Sequence, residues 1–200
     1  MEAELQKIVE QSLQLFDQFG VKAVTMDQVS AACGISKKTL YKYVSNKEDL
    51  MLQTFQVLEQ TMKGKIQGIV LAGDQNAIDK LFSLELFAKN HLRQGLQSLV
   101  VQLEQYYPIV AHQMKMRREQ IMFDFTRANL LEGIQEGLYR QDLHVEHITL
   151  LYYGHVLATH DNFVSATFDA NELRKTSLLY HIRGIASSKG LDYLNTLIND

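Results

Sequence analysis

A chain of 200 residues with a single proline, Pro108, and 11 dispersed glycines has few enforced breaks in its backbone. Proline removes a backbone donor and clashes with the preceding turn, so its scarcity lets helices run long. Local patterning agrees. Leu5, Ile8, Val9, Ser12, Leu15, Phe16 and Phe19 recur at intervals of three and four, which predicts a helix with one buried face, closed by Gly20. Further helical patterns cover roughly 47–63, 75–92, 94–106, 115–137, 146–164, 170–183 and 186–198. Pro108 is expected at a helix boundary. Asp169 and Glu172 have capping-box spacing, with Phe168 and Leu173 as the flanking staple. No segment combines strand alternation with turn chemistry, so the expected fold is all-α.

Composition narrows the class. Apolar residues at 46% and charged residues at 22% describe a soluble globular chain, long enough for one large core or for a small domain joined to a larger one. The lone cysteine, Cys33, excludes an intrachain disulfide framework and any all-cysteine metal site. No apolar run is long enough to span a bilayer, and the N-terminus shows no basic leader ahead of an apolar stretch. The expectation is a cytoplasmic protein with no membrane partner.

Residues 25–50 carry the sharpest local signals. Thr25 and Gln28 have capping-box spacing with Val24 and Val29 as the staple, which predicts a helix to about Ala32 that ends at Cys33-Gly34. Ser36 is placed to cap a short third helix running to about Tyr43. Asn46 is placed to cap a fourth, with Glu48 and Asp49 near its positive end. Two helices joined by a tight glycine turn make a helix-turn-helix. The net charge is −3, yet Lys37, Lys38, Lys42 and Lys47 fall within eleven residues and no acid lies between Asp27 and Glu48. Phosphate recognition needs local rather than overall positive charge. Taken singly, such a lysine cluster reads as a solvated face and Thr25 as a cap. Together with the turn they point to a reader of double-stranded DNA. Lys38 in the first turn is placed for guanine O6 or N7, Thr39 for a base or a phosphate, and Thr25 and Lys47 for the flanking backbone.

The stretch TMDQVSAACGISKKTLYKYVSNKEDL closely resembles the DNA-binding signature of the TetR family of transcriptional regulators, as does the first helix with Phe16 and Gly20. The resemblance implies that Thr25 contacts phosphate and that Ser36, Lys37, Lys38 and Thr39 lie on or beside the recognition helix. It further implies that Tyr41, Tyr43 and Lys47 grip the backbone, with Lys42 at a more variable position of the same surface. Val44 stands where the family often has phenylalanine, and Cys33 where alanine is common. The run RANLLEGIQEGLYRQDL, residues 127–143, is similar to a feature of many ligand domains in the family. The implied division is a DNA-binding domain over 1–49 and a ligand-sensing and dimerisation domain over 50–200.

A single short recognition helix has a small footprint, so a homodimer is expected. The interface is assigned to Leu151, Tyr152, His155, Val156, Leu173, Tyr180 and Ile185, on the last two long helical segments; the alternative is that these faces close the monomer's own core. A pocket for a small hydrophobic or amphipathic ligand is assigned to Tyr106, Met122, Phe123, Asn129, Tyr153, His155 and Thr159. No bound cofactor, metal or catalysis is expected. No nucleophile motif is present, and His144 with His147 lacks further ligands of convincing geometry. The leading expectation is a repressor released from a palindromic operator by a ligand. An activator or dual regulator using the same DNA-binding mode, and a protein-interaction module with a vestigial helix-turn-helix, are the alternatives.

Overall fold

The computed structural model describes residues 2–91, 94–159 and 167–199. Among these, the helices in chain order are α1 Glu2–Phe19, α2 Met26–Cys33, α3 Lys37–Leu40, α4 Lys47–Val70, α5 Ala77–His91, α6 Gln94–Tyr106, α7 Pro108–Gln135, α8 Val145–Ala158, α9 Ala170–Ile185 and α10 Ser188–Asn199. No described helix is long and apolar enough to cross a membrane. Pro108 opens α7, where its missing N–H has no intrahelical partner to lose. That helix therefore starts seven residues before the apolar periodicity becomes legible. The expected helix over 146–164 is present as α8, and its portion beyond residue 159 lies outside the described residues.

The chain divides into two compact units, Met1–Gly64 with Leu92–Arg118, and Lys65–His91 with Glu119–Asp200. In the first, α1, α2, α3 and the start of α4 bury Ile8, Phe16, Val29, Leu40, Val44 and Phe55, and Phe16 stacks on Phe55 at 6.4 Å between ring centroids. Leu99 and Leu103 of α6 and Val110 of α7 complete this core. Each large side chain so buried contributes roughly 1.5–3 kcal/mol. The helix-turn-helix thus rests on residues distant in sequence. Gln102 reinforces the join, its Oε1 accepting from the Val21 N–H at 3.0 Å.

The second core is built from α5, the latter part of α7, α8, α9 and α10 around Ile78, Leu81, Phe125, Leu130, Tyr139, Ile182 and Leu194. Here residues 127–143 show their structural purpose. After α7 the chain turns back, and the Tyr139 ring lies so close to Gly133 that a Cβ there would meet it at 2.1 Å. Only glycine admits the ring. Tyr139 then donates its hydroxyl to Asn129 Oδ1 at 3.1 Å, and Asn129 Nδ2 donates to the Ala77 carbonyl at 2.7 Å. Lys80, almost fully buried on α5, pairs with Glu132 at 2.6 Å. A buried cation is tolerable because it is paired this closely.

Candidate nucleic-acid interface

The local chemistry of residues 20–50 builds a presented surface. Thr25 caps α2, accepting from the Gln28 N–H at 3.2 Å while Gln28 Oε1 accepts from the Thr25 N–H at 2.8 Å. Two donors at the start of α2 are satisfied reciprocally. Gly34 ends α2 with φ of 67°, a left-handed conformation that a side chain would strain. Two residues on, Ser36 caps α3 through the Thr39 N–H at 3.1 Å, and Asn46 Oδ1 accepts from the Asp49 N–H at 2.9 Å at the start of α4. α3 closes at Leu40, with Tyr41 to Tyr43 continuing as a turn, so the reader is shorter than its sequence pattern implies.

The anchors point inward and the donors outward. Leu40 and Val44 are buried, whereas Ser36, Lys37, Lys38, Tyr41 and Lys42 are exposed and Thr39 and Tyr43 are half-buried. Lys38 and Lys42 have no acidic partner among the described residues. Lys37 does: its Nζ lies 2.9 Å from Asp27 Oδ1 and 3.1 Å from Oδ2, and this hydrogen bond raises the ammonium's pKa above its usual value. Lys47 is drawn inward, donating to the Lys22 carbonyl at 3.1 Å with its ammonium 5.6 Å from the Tyr107 ring. Its remaining donors still allow a phosphate contact. Thr25 also spends its hydroxyl proton internally, on Gln28 Oε1 at 3.1 Å. Of the nine residues expected to meet DNA, Thr25, Ser36, Lys37, Lys38, Tyr41 and Lys42 are exposed and Thr39, Tyr43 and Lys47 are half-buried; beside Lys37 stands Asp27, an acid absent from the expected set. Its spacing of ten from Lys37 crosses a turn and has no helical periodicity to reveal it.

The residues expected to line a ligand pocket do not form one group. Phe123 and Tyr153 face each other at 5.5 Å between centroids, and Tyr153 donates to Glu119. Met122 and His155 are half-buried in the same unit. Tyr106 belongs to the first unit, where its ring carries the Lys22 ammonium at 4.3 Å. Asn129 has its amide committed to the core contacts above, and Thr159 bonds to the Val156 carbonyl of its own helix at 2.8 Å. A shallow depression of about 440 Å³ is lined instead by Gln75, Asp79, Phe82, Ser83 and Leu197.

The residues expected at a dimer interface also separate. Leu151 and Tyr180 stand 60% and 71% exposed, while His155, Val156 and Leu173 are half-buried. Tyr152 and Ile185 are core residues. Tyr152 stacks on His181 at 4.1 Å, which removes it from any surface. The helical repeat places the boundary between them: Tyr152 lies about 100° on from Leu151 and about 200° from Leu150, which turns it off the exposed stripe and toward the core. The exposed stripe of α8 is Leu150, Leu151, Gly154, Leu157 and Ala158. His144 and His147 stack at 3.6 Å with His144 Nδ1 accepting from the His147 N–H, as a helix cap, and no cluster able to hold a metal occurs among the described residues.

Residues 8–54 match the family model described as bacterial regulatory proteins, tetR family. The chain is 27% identical over 133 residues to the HTH-type transcriptional regulator YhgD of Bacillus subtilis (strain 168), covering 65% of this chain and 69% of the relative. Solved structures share the fold across nearly the whole length. A TetR-family regulator from Cytophaga hutchinsonii superposes with a TM-score of 0.73 at 16% identity, covering 92% of this chain and 96% of that one. The regulator FadR from Bacillus subtilis, in complex with stearoyl-CoA, superposes with a TM-score of 0.69 at 18% identity, covering 90% and 98%. With the capped helix-turn-helix and its outward lysines, these likenesses identify residues 8–54 as a DNA-binding domain of the tetR family of regulatory proteins, and the chain as a whole shares the fold of TetR-family transcriptional regulators.

Proposed function

We propose that the protein is a cytoplasmic, non-enzymatic repressor that binds a palindromic operator as a homodimer and leaves it when a small amphipathic ligand binds. The observation that carries this reading is the outward first turn of α3, where Lys38 has no competing acid while its neighbours are fixed by caps on both sides. Lys38 reads base edges and Lys47 holds phosphate. The exposed apolar stripe of α8 with Tyr180 of α9 supports pairing of two copies, which presents two readers about one helical turn apart. His155 Nδ1, buried and without a hydrogen-bond partner among the described residues, supports a polar anchor for a ligand on the side of α8 where the His155 ring meets Tyr180 edge-on at 5.9 Å. The stearoyl-CoA held by FadR has the amphipathic character this reading requires. α6 and the start of α7 share the core of the reading head, which gives a ligand-induced shift of these helices a route to the DNA.

Two substitutions test the reader. Lys38→Ala relaxes base selectivity at one symmetry-related position per half-site, at roughly 1–3 kcal/mol per lost contact. Lys47→Ala weakens specific and unrelated duplexes alike and flattens the log-affinity against log-salt slope by about one per lost phosphate contact. Uniform weakening by Lys38→Ala, with altered base preference from Lys47→Ala, overturns the assignment. Release by ligand is reciprocal, so saturating operator must weaken ligand binding by the same factor.

A further inference from the structure

We propose that Asp27 is a specificity-determining residue of the reading head, which acts by holding the Lys37 ammonium out of the phosphate-neutralising set. The inference rests on the reader assignment above. Asp27 lies in the first turn of α2, two residues from Thr25, and Lys37 opens α3. Both carboxylate oxygens lie within 3.1 Å of the ammonium, and the exposed pair ties the first turn of α2 to the start of α3, the short helix that also carries Lys38.

Stability does not account for the pair. Its side chains are 71% and 50% exposed, and ion pairs so placed contribute little to folding. Their position is costly for a protein that binds a polyanion, because a carboxylate on the docking face repels phosphate. A lysine already neutralised by its neighbour displaces no counterion from DNA and adds nothing to sequence-independent affinity. It keeps a donor free, since an ammonium has three and the carboxylate engages two at most. That donor retains its value where a base edge offers an acceptor, such as guanine O6 or N7. Asp27 therefore lowers attraction to arbitrary DNA more than attraction to the preferred site, and it widens the ratio between them.

The test uses the full chain and two duplexes of equal length, the sequence preferred in a selection by the wild-type protein and an unrelated one. Affinities are measured over a salt series for wild type, Asp27→Asn, Lys37→Ala and the double variant, with circular dichroism and melting temperature confirming the fold; Asp27→Ser guards against an effect peculiar to asparagine. Asp27→Asn is expected to tighten the unrelated duplex, to narrow the affinity ratio severalfold and to steepen the salt slope by about 0.9 for each head on DNA. Lys37→Ala leaves the slope nearly unchanged alone, but restores the wild-type slope when added to Asp27→Asn. Unchanged ratio and slope in both Asp27 variants overturn the proposal, as does an equal effect of Lys37→Ala in the two backgrounds. If the wild-type protein selects no preferred duplex, the reader assignment fails instead, and the two failures are distinguishable.

Discussion

Replacing Asn129 with alanine separates a structural amide from a ligand-contacting one. Asn129 is 4% exposed, donates to the Ala77 carbonyl at 2.7 Å and accepts from the Tyr139 hydroxyl at 3.1 Å; Tyr139 is 1% exposed. Truncation leaves the buried Tyr139 hydroxyl unpaired, at roughly 1–3 kcal/mol, and takes from the Ala77 carbonyl a second bond beyond the one that α5 itself supplies, at about 0.5–1.5 kcal/mol. The vacated space is polar and can admit a water that recovers part of this, so the expected loss is about 2 kcal/mol. Tyr139→Phe removes the hydroxyl alone and should cost about 1 kcal/mol. Because the two groups bond each other, the double variant should cost less than the sum. Urea unfolding followed by circular dichroism reads these values, at one protein concentration, since pairing of two copies as proposed would make stability concentration-dependent. The midpoint should fall with the m-value unchanged. A stability within about 0.5 kcal/mol of wild type, with ligand response lost, would refute the structural role and restore Asn129 to the pocket.

His181 is buried against Tyr152, and that burial, with His155 nearby, pushes its pKa down to about 4 from the ordinary 6.5. The unfolded chain takes up its proton first as pH falls, so the stabilisation is complete above pH 6.5 and about 3 kcal/mol is lost between 6.5 and 4. His181→Phe should flatten that part of the stability profile, measured by urea midpoints across the range; an undiminished slope means other groups carry it. Leu151→Glu with Tyr180→Glu should shift mass in solution from dimer to monomer and weaken operator binding, while retaining the helical circular dichroism spectrum; an unchanged dimer places the interface elsewhere.

Caps, turns and helix-length periodicities were legible because they act over three or four residues. Thr25 with Gln28, Ser36, Asn46 and Asp169 each cap where the spacing predicts, and Gly34 supplies the left-handed turn. What depends on distant contacts was not legible. Nothing local announces that Leu99, Leu103 and Val110 complete the core under the reader, nor that Tyr106 attaches to Lys22. Asn129 looked like a pocket residue because it is polar among apolar neighbours, and its partners, Ala77 and Tyr139, lie on either side of it in sequence, one of them 52 residues away. Tyr152 looked like interface because α8 is apolar on most sides, which erases the contrast that would tell its inner face from its outer one.

The most direct test is to incubate the purified full chain with a random duplex pool and sequence what it retains after several rounds at physiological salt. The expected product is an inverted repeat whose half-sites are centred about one helical turn or a multiple apart, with retention by a Lys38→Ala variant relaxed at one symmetric position. Retention of duplexes without any common motif, or of a single unrepeated half-site, would contradict paired reading by α3.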